Sequence, residues 1–354
     1  MTSTADAIVV GAGICGAAAA FFLQERGLNV MLLDRGAVSA GTTGVGEGNV
    51  LVCDKPPGPE RELAILGRDL WVELGERFPA GRVTRKGALL LDHPDGSLDP
   101  ELEPALAPGV PVLHEPEDLQ VDPSGLTRAL AAGLPVREGA AVASVKRGAV
   151  TLEGGERLAC EHVVVATGPW AAALTGLPVE PRKGQLVAFA APRGLIRHKL
   201  IEASYMDAVA ESDEGLALAV VVEQTLDGDE VLVGSSRERT GFDRTVHGEV
   251  TRAMLDRAVG FVPALSELPL TRSWCGFRPW LPDGLPAIGE LEGGVWTSTG
   301  HEGAGVCLGP ISGQLLAQMI CGEQPDVDPA PFDPRRFSAA RTSESRSPAG
   351  RSDG

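Results

Sequence analysis

The stretch Ala7-Ile-Val-Val-Gly-Ala-Gly-Ile-Cys-Gly16, continued by 17–34, decides the expected fold. Its apolar start is typical of a buried strand, the Ala-rich part that follows of a helix, and the apolar run before Asp34 of a second strand. Gly11 allows the tight turn between strand and helix, Gly13 lets a pyrophosphate approach the backbone, and Gly16 permits close helix–strand packing. The stretch therefore predicts the doubly wound α/β fold that binds a dinucleotide at a helix N-terminus.

Asp34 indicates what the nucleotide carries on its ribose. It stands 23 residues after Gly11, at the end of the second predicted strand, where a carboxylate bonds ribose hydroxyls. A carboxylate at this position disfavours a 2′-phosphate and so argues against NADP. It does not separate NAD from FAD, and both remain open on this evidence.

Composition excludes several classes of function. The chain has 354 residues and a net charge of −17, which argues against nucleic acid or an anionic membrane surface as its main partner. Its six cysteines form no CxxC pair, so neither a disulfide framework nor zinc or iron–sulfur spacing is present, and we expect no metal site. This cysteine usage fits a reducing cytoplasm, the localisation we expect.

Two uncharged runs, 7–24 and 303–322, approach the length of a membrane span. Glycines interrupt both, and Pro310 lies inside the second. No cationic segment precedes the first run, which therefore lacks the typical start of a secretory signal peptide. We therefore expect no transmembrane segment.

The remaining periodicities predict a second, sheet-rich region. The expected elements are a helix at 60–78, a Pro-rich surface excursion at 92–123, short strands at 136–165, an antiparallel sheet within 184–233, a helix at 245–259, an irregular Pro/Gly segment at 274–289, a strand at 295–299, a helix at 309–321, and a disordered tail after Phe337.

Further blocks extend the nucleotide signal along the chain. They are Gly41-Thr-Thr-Gly-Val-Gly-Glu-Gly-Asn49, Val163-Val-Val-Ala-Thr-Gly168-Pro-Trp170, Pro181-Arg-Lys-Gly-Gln185, Val233-Gly-Ser-Ser-Arg237, Trp274-Cys-Gly-Phe-Arg-Pro279, Pro282-Asp-Gly-Leu-Pro-Ala-Ile-Gly289 and Gly300-His-Glu-Gly-Ala-Gly305. With the first stretch, these blocks resemble the FAD-dependent D-amino-acid oxidase family over about residues 6–322, in family order. Within this family the blocks resemble glycine oxidase and the catalytic subunits of D-amino-acid, hydroxyproline- and opine-type dehydrogenases.

The resemblance implies a set of FAD-binding residues. They are Gly11, Gly13, Ile14, Cys15 and Gly16 at the pyrophosphate, Asp34 and Arg35 at the adenosine ribose, Thr42, Thr43, Gly48 and Asn49 along the flavin and its ribityl chain, Val142 at the adenine, Thr167 and Gly168 beside the nucleotide, and Gly300, His301, Glu302, Gly303, Ala304 and Gly305 at the flavin pyrimidine ring.

The resemblance also implies an activity: oxidation of the Cα–N bond of a D-amino acid or secondary amino acid (glycine, a D-proline derivative or an opine) by hydride transfer to flavin N5. Arg278, in Gly-Phe-Arg-Pro, matches the arginine that binds the substrate carboxylate, and Tyr205, the single tyrosine, is the candidate pocket hydroxyl. His301 is expected to serve the flavin turn rather than act as a base. Cys275 lies near the position where related sarcosine oxidases attach flavin covalently, although a non-covalent flavin is favoured.

Three alternatives stay open at this point. They are an NAD-dependent dehydrogenase, a catalytic subunit that passes electrons to partner subunits, and a non-catalytic nucleotide-binding module. The expected architecture is a Rossmann-like FAD-binding domain made of 1–83, 137–178 and 274–337. An antiparallel-sheet substrate-binding domain, 84–136 and 179–273, is inserted into it, and a tail, 338–354, follows.

Overall fold

A computed structural model describes residues 4–205 and 215–337 of the chain. The predicted disordered tail at 338–354 lies outside the described residues. The described helices are α1 Ile14–Glu25, α2 Thr42–Val45, α3 Pro59–Arg77, α4 Pro123–Ala131, α5 Ala172–Thr175, α6 Gly248–Phe261 and α7 Gly305–Ile320.

The described strands fall into three sheets. They are β1 Ala5–Val10, β2 Val30–Leu33, β3 Asn49–Val50, β4 Thr84–Arg85, β5 Ala88–Leu91, β6 Val112–Glu115, β7 Leu119–Gln120, β8 Val136–Arg137, β9 Val142–Lys146, β10 Ala149–Leu152, β11 Arg157–Val165, β12 Glu180–Ala190, β13 Lys199–Glu202, β14 Ala217–Gln224, β15 Glu230–Arg237, β16 Leu270–Trp280, β17 Ala287–Glu292 and β18 Val295–Thr299.

The first sheet is the nucleotide-binding sheet of a Rossmann-like fold. Its main path runs β17-β18-β11-β1-β2-β8, with β9 and β10 attached beside β11. β1 pairs in parallel with both β2 and β11, which places the Gly11–Gly16 turn at the centre of the carboxyl edge. Strands of a parallel sheet are buried on both faces, and accordingly Ala7, Ile8 and Val9 are fully buried.

Helices α1, α3 and α7 form the core on one face of this sheet. The segment Glu302–Ile320, which contains α7, is long and apolar enough to cross a membrane, and 61% of it is buried inside the protein. Gly313 of α7 packs directly against the backbone of α1 at Ala18 and Ala19. The apolar character of this helix is thus accounted for by its packing against α1 and α3.

The second sheet has seven strands in the order β16-β12-β15-β14-β13-β5-β6. Helix α6 covers one of its faces through an apolar core that includes Val187, Val233 and Met254. A third, three-stranded sheet, β3-β7-β4, is formed by residues between 49 and 120.

The structure corrects the expectation of an irregular segment at 274–289. Residues 270–280 form the eleven-residue strand β16, which pairs antiparallel with β12 in the register Arg182–Arg278 and Gly184–Gly276. Its glycine and proline content suggested an irregular segment, but β16 is an edge strand, where a proline leaves no ladder bond unmade. The domain boundary expected at residue 274 therefore falls inside a strand of the second sheet.

Two smaller expectations are also wrong. The Pro-rich segment 92–123 contains strands β6 and β7 rather than a surface excursion without strands. Helix α4, assigned from the sequence to the substrate-binding part, packs against α1 of the nucleotide-binding part. Short strands of two to four residues carry too little periodicity to be recognised in sequence.

Candidate active site

One cavity of about 950 Å³ runs from the Gly11–Gly16 turn to the second sheet. It is lined by all the predicted site residues except Gly16, Gly48 and Gly300. Those three glycines serve close packing instead: Gly16 lies against the Gly11 carbonyl, Gly48 against the Val121 carbonyl, and Gly300 against Leu281. The cavity is at the upper end of the volumes of small-molecule sites, which suits a dinucleotide with a small substrate beside it.

The predicted nucleotide turn is held by a carboxylate and a hydroxyl. Asp34 Oδ2 accepts a hydrogen bond from the Ala12 amide at 2.7 Å, and its Oδ1 accepts one from the Gly36 amide at 2.7 Å. Thr43 Oγ1 accepts a hydrogen bond from the Ile14 amide at 3.1 Å. Asp34 therefore fixes the shape of the turn that it follows in sequence.

The glycine-rich loop 41–49 is held in place by hydrogen bonds to β16. Its centre is the short helix α2, and Thr42 donates a hydrogen bond from Oγ1 to the Phe277 carbonyl at 2.7 Å. This bond ties the loop to β16. Trp274 on the same strand donates from its indole nitrogen to the Val45 carbonyl at 2.8 Å. The loop is thereby fixed between the two large sheets.

At the expected adenosine end, Arg35 stacks on an aromatic side chain. Its guanidinium carbon lies 4.0 Å from the ring centre of Trp170, and Trp170 in turn stacks on Phe242. Val142, Thr167 and Gly168 line the same cavity. Arg35 thus has an ordered position at the rim.

His301 is buried and uncharged. Its Nε2 lies 3.0 Å from Ser312 Oγ in α7, and its Nδ1 lies 3.8 Å from the Cys15 thiol. Burial lowers the pKa of His301 to about 4, and burial raises the pKa of Cys15 to about 12. Both groups are therefore neutral at physiological pH, and the low pKa makes His301 a weak base, which agrees with a structural role in the turn.

Arg278 faces the cavity from β16. Its Nη1 donates a hydrogen bond to the Ser236 carbonyl at 2.9 Å, and the guanidinium group lies over Gly184 of β12. A side chain at Gly184 would occupy the space of this group, because a Cβ there would lie 2.7 Å from Arg278 Cζ. The sequence thus leaves room on β12 for the arginine of the neighbouring strand.

Tyr205 reaches the same place. A Cβ built on Gly303 would lie 3.4 Å from the Tyr205 hydroxyl, 3.7 Å from Arg237 Nη2 and 3.8 Å from Arg278 Nε. Gly303 therefore marks a point in the cavity wall where the phenol and two guanidinium groups meet. The ring of Tyr205 is covered by Arg237, whose Cζ lies 4.5 Å from the ring centre.

The buried charged side chains next to Gly303 were not predicted from the sequence. Arg182 on β12 and Arg237 on β15 are buried beside Arg278, and the three form what we call the guanidinium cluster. Glu302 points its carboxylate into the cluster. Arg182 and Arg278 are paired in the register of β12 and β16. This pairing could have been predicted only if 274–280 had been recognised as a strand.

A second buried charge group also escaped sequence reasoning. Glu47 lines the cavity, and Lys199 Nζ lies 3.3 Å from the carboxylates of both Glu47 and Glu223. Burial raises the pKa of Glu223, against the opposing effect of Lys199. Lysine and glutamate inside a strand carry no pattern that distinguishes them from surface charges.

Comparison with known proteins gives the family. The family model described as FAD dependent oxidoreductase matches residues 6–319. The chain belongs to this FAD-dependent oxidoreductase family. The NAD-dependent alternative is thereby removed, and the expected cofactor, FAD, is confirmed.

Individual relatives cover between two thirds and nearly all of the chain. This FAD-dependent oxidoreductase is 28% identical to the glycine oxidase of Pseudomonas putida KT2440 over 92% of this chain and 97% of that protein. It is 32% identical to a D-amino acid dehydrogenase of Methylobacterium sp. strain 4-46 over 69% of this chain and 60% of that protein. The solved structure of glycine oxidase from Geobacillus kaustophilus superposes with a TM-score of 0.81 at 26% identity, covering 93% and 98% of the two chains. The Rossmann-like fold predicted from the sequence is confirmed.

The cavity residues fit FAD on internal evidence. Among the described residues, the hydroxyl oxygens of Thr167, Ser235 and Ser298 are buried without a hydrogen-bond partner. All three residues line the cavity. A buried hydroxyl without a partner is costly, and a polar ligand in the cavity would satisfy it.

Proposed function

We propose that this FAD-dependent oxidoreductase oxidises the Cα–N bond of an amino acid, namely glycine, a D-amino acid, or a secondary amino acid such as a D-proline derivative or an opine. The names of its relatives, a glycine oxidase and a D-amino acid dehydrogenase, support an amino-acid substrate. The proposal does not depend on names alone, because the cavity offers a receptor for a carboxylate.

The observation that carries the proposal is the position of Arg278. It lines the same cavity as Gly11, Gly13 and the 301–305 turn, so a carboxylate bound to it would lie beside the cofactor. A planar guanidinium donates two parallel hydrogen bonds to a carboxylate, which orients as well as binds it. Such orientation is what an oxidation at the neighbouring carbon requires.

The residues of this chain would bind and orient the substrate. Arg278 holds its carboxylate, and the Tyr205 hydroxyl, near Gly303, donates a second hydrogen bond at the same end. The buried, neutral His301 holds the turn through Ser312 and transfers no proton. When bound, FAD would supply the acceptor for the α-hydrogen and its electron pair, which leaves the neutral amine as a protonated imine.

Anaerobic bleaching of the bound flavin by a panel of D-, L- and secondary amino acids tests the proposal. We expect at least one D- or secondary amino acid to bleach it, and Arg278→Ala to need a much higher concentration while retaining its flavin. A wild-type flavin that stays yellow with every amino acid would refute the proposed function.

Readmitting air to the bleached protein distinguishes the electron acceptor. Fast reoxidation indicates an oxidase. Slow reoxidation, with fast transfer to an artificial dye, supports the alternative in which the chain is the catalytic subunit of a dehydrogenase that passes electrons to partner subunits. If that transfer uses iron–sulfur centres, the partners carry them, because this sequence lacks the cysteine spacing that binds such a centre.

A further inference from the structure

Glu302 has an unusual backbone and an unusual side-chain environment. Its φ angle is +44°, a left-handed conformation that non-glycine residues rarely adopt and that costs free energy. Glycines occur nearby in the same turn, at Gly300 and Gly303. The position with the left-handed backbone nevertheless carries a glutamate. Its side chain is 9% exposed.

The carboxylate of Glu302 contacts all three members of the guanidinium cluster. Its Oε1 accepts a hydrogen bond from Arg237 Nε at 3.1 Å and lies 3.7 Å from Arg182 Nη1 and 3.9 Å from Arg278 Nε. Burial disfavours the ionised form, but Arg237, Arg278 and Arg182 outweigh burial and lower the pKa of Glu302 to about 2. The residue is therefore an anion throughout the physiological range.

The three contacts are not equivalent. Arg237 is fully buried and is engaged by Glu302 on one side and Tyr205 on the other. Arg278 is the most exposed of the three side chains, at 17%, and lies beyond hydrogen-bond distance of Glu302. Of the three, only Arg278 lines the cavity.

We infer that Glu302 is a specificity-determining residue: its carboxylate serves as an internal anion that occupies Arg237 and Arg182, so that Arg278 alone receives the carboxylate of the substrate. The inference rests on the proposed function for the identity of the substrate. Whatever the carboxylate ligand, Glu302 blocks a second carboxylate site in the guanidinium cluster.

Glu302 also influences the position of the Tyr205 hydroxyl. Arg237 covers the Tyr205 ring, and Glu302 fixes Arg237. Glu302 thus positions Tyr205 through Arg237, and its loss would misplace the phenol even where Arg278 is intact.

The test removes Glu302 and asks whether an external anion takes its place. Glu302→Gly vacates the carboxylate and accepts the left-handed backbone without strain. Acetate is the probe, and its dissociation constant is read from the flavin absorbance of the holoenzyme in four proteins: wild type, Glu302→Gly, Arg278→Ala and the double variant. Glu230→Gln is the matched control, because Glu230 pairs with Arg272 between β15 and β16 and does not line the cavity.

We expect Arg278→Ala to weaken acetate binding by about 30-fold or more, the loss expected for a charged hydrogen bond. The double variant should regain acetate affinity to within about tenfold of the wild type, because acetate then binds Arg237 and Arg182. Glu230→Gln should bind acetate like the wild type. A double variant that binds acetate as weakly as Arg278→Ala would overturn the inference.

A variant that fails to hold FAD does not end the test. Glu302→Gln keeps the volume of the side chain, and combining it with Arg237→Gln removes the charge that Glu302 balances. We expect the double variant to lose less thermal stability than the two single losses added together. Additive losses would contradict the pairing. If the acetate pattern holds but no amino acid bleaches the flavin, the proposed function fails and the inference stands.

Discussion

Arg278 and Ser236 are joined across an intervening strand. Arg278 extends from β16 over Gly184 of β12, and its Nη1 donates a hydrogen bond to the Ser236 carbonyl on β15 at 2.9 Å. The position of the guanidinium group thus depends on the absence of a side chain at Gly184.

Gly184→Ala should displace the Arg278 guanidinium without changing its charge. We expect KM for the amino-acid substrate to rise about tenfold or more, while the flavin spectrum and the limiting rate of flavin reduction change less. Steady-state kinetics on the purified holoenzyme measures both. Gly260→Ala in α6, where a Cβ meets nothing within 4 Å, is the control and should leave KM unchanged. An unchanged KM in Gly184→Ala would show that this contact does not position Arg278.

Thr43→Val should weaken FAD binding. The substitution keeps the shape of the side chain and removes the oxygen that accepts the Ile14 amide hydrogen bond at the start of α1. We expect the dissociation constant for FAD to rise by about tenfold, which corresponds to one lost hydrogen bond in a buried site. Titration of the apoprotein with FAD measures it. Thr84→Val, on an exposed strand, is the control, and equal FAD affinity in the two variants would refute the role of Thr43.

The buried His301 should make stability depend on pH. Its pKa in the folded protein, about 4, lies below that of an exposed histidine, so the unfolded chain binds the proton first as the pH falls. Its contribution to stability is complete above about pH 6.5 and is lost progressively toward about pH 4.

His301→Gln cannot titrate in this range and keeps a group able to bond Ser312. Between about pH 7.5 and about pH 5, the free energy of unfolding of the wild type should fall by about 2 kcal/mol more than that of the variant. Urea unfolding at the two pH values measures the difference. A gap between the two proteins that does not change with pH would mean that His301 is not held neutral by burial.

The flavin should be released by acid. Cys275 lies on β16 between Gly276 and Trp274, donates a hydrogen bond from Sγ to the Arg244 carbonyl at 3.3 Å, and does not line the cavity. We expect acid precipitation to leave a white pellet and a yellow supernatant, both in the wild type and in Cys275→Ser. A wild-type pellet that stays yellow would show a covalent flavin.

The nucleotide-binding half of the site was predictable because its signals are local. Gly11, Gly13, Asp34 and Thr43 belong to two short segments in which the turn, the helix start and the strand end are adjacent in sequence. Residues that recognise a phosphate through the backbone need little from distant parts of the chain. The predicted residues of these segments, Gly16 and Gly48 excepted, line the cavity.

The substrate half was predictable only in part. The position of Arg278 was carried by the resemblance, but its neighbours Arg182 and Arg237 come from two other strands of the second sheet. Their approach depends on strand order and register, which a single sequence with charged residues inside strands does not reveal. Glu302 was assigned to the flavin turn, and its side chain proved to face the guanidinium cluster.

The proposed function depends on the binding of the substrate carboxylate by Arg278 beside the flavin. The most direct measurement compares the rate of anaerobic flavin reduction by the best amino acid with that by its primary amide, in the wild type and in Arg278→Ala. We expect the wild type to prefer the acid by about 100-fold or more and this preference to disappear in Arg278→Ala. Equal rates with acid and amide in the wild type, or an undiminished preference in the variant, would contradict it.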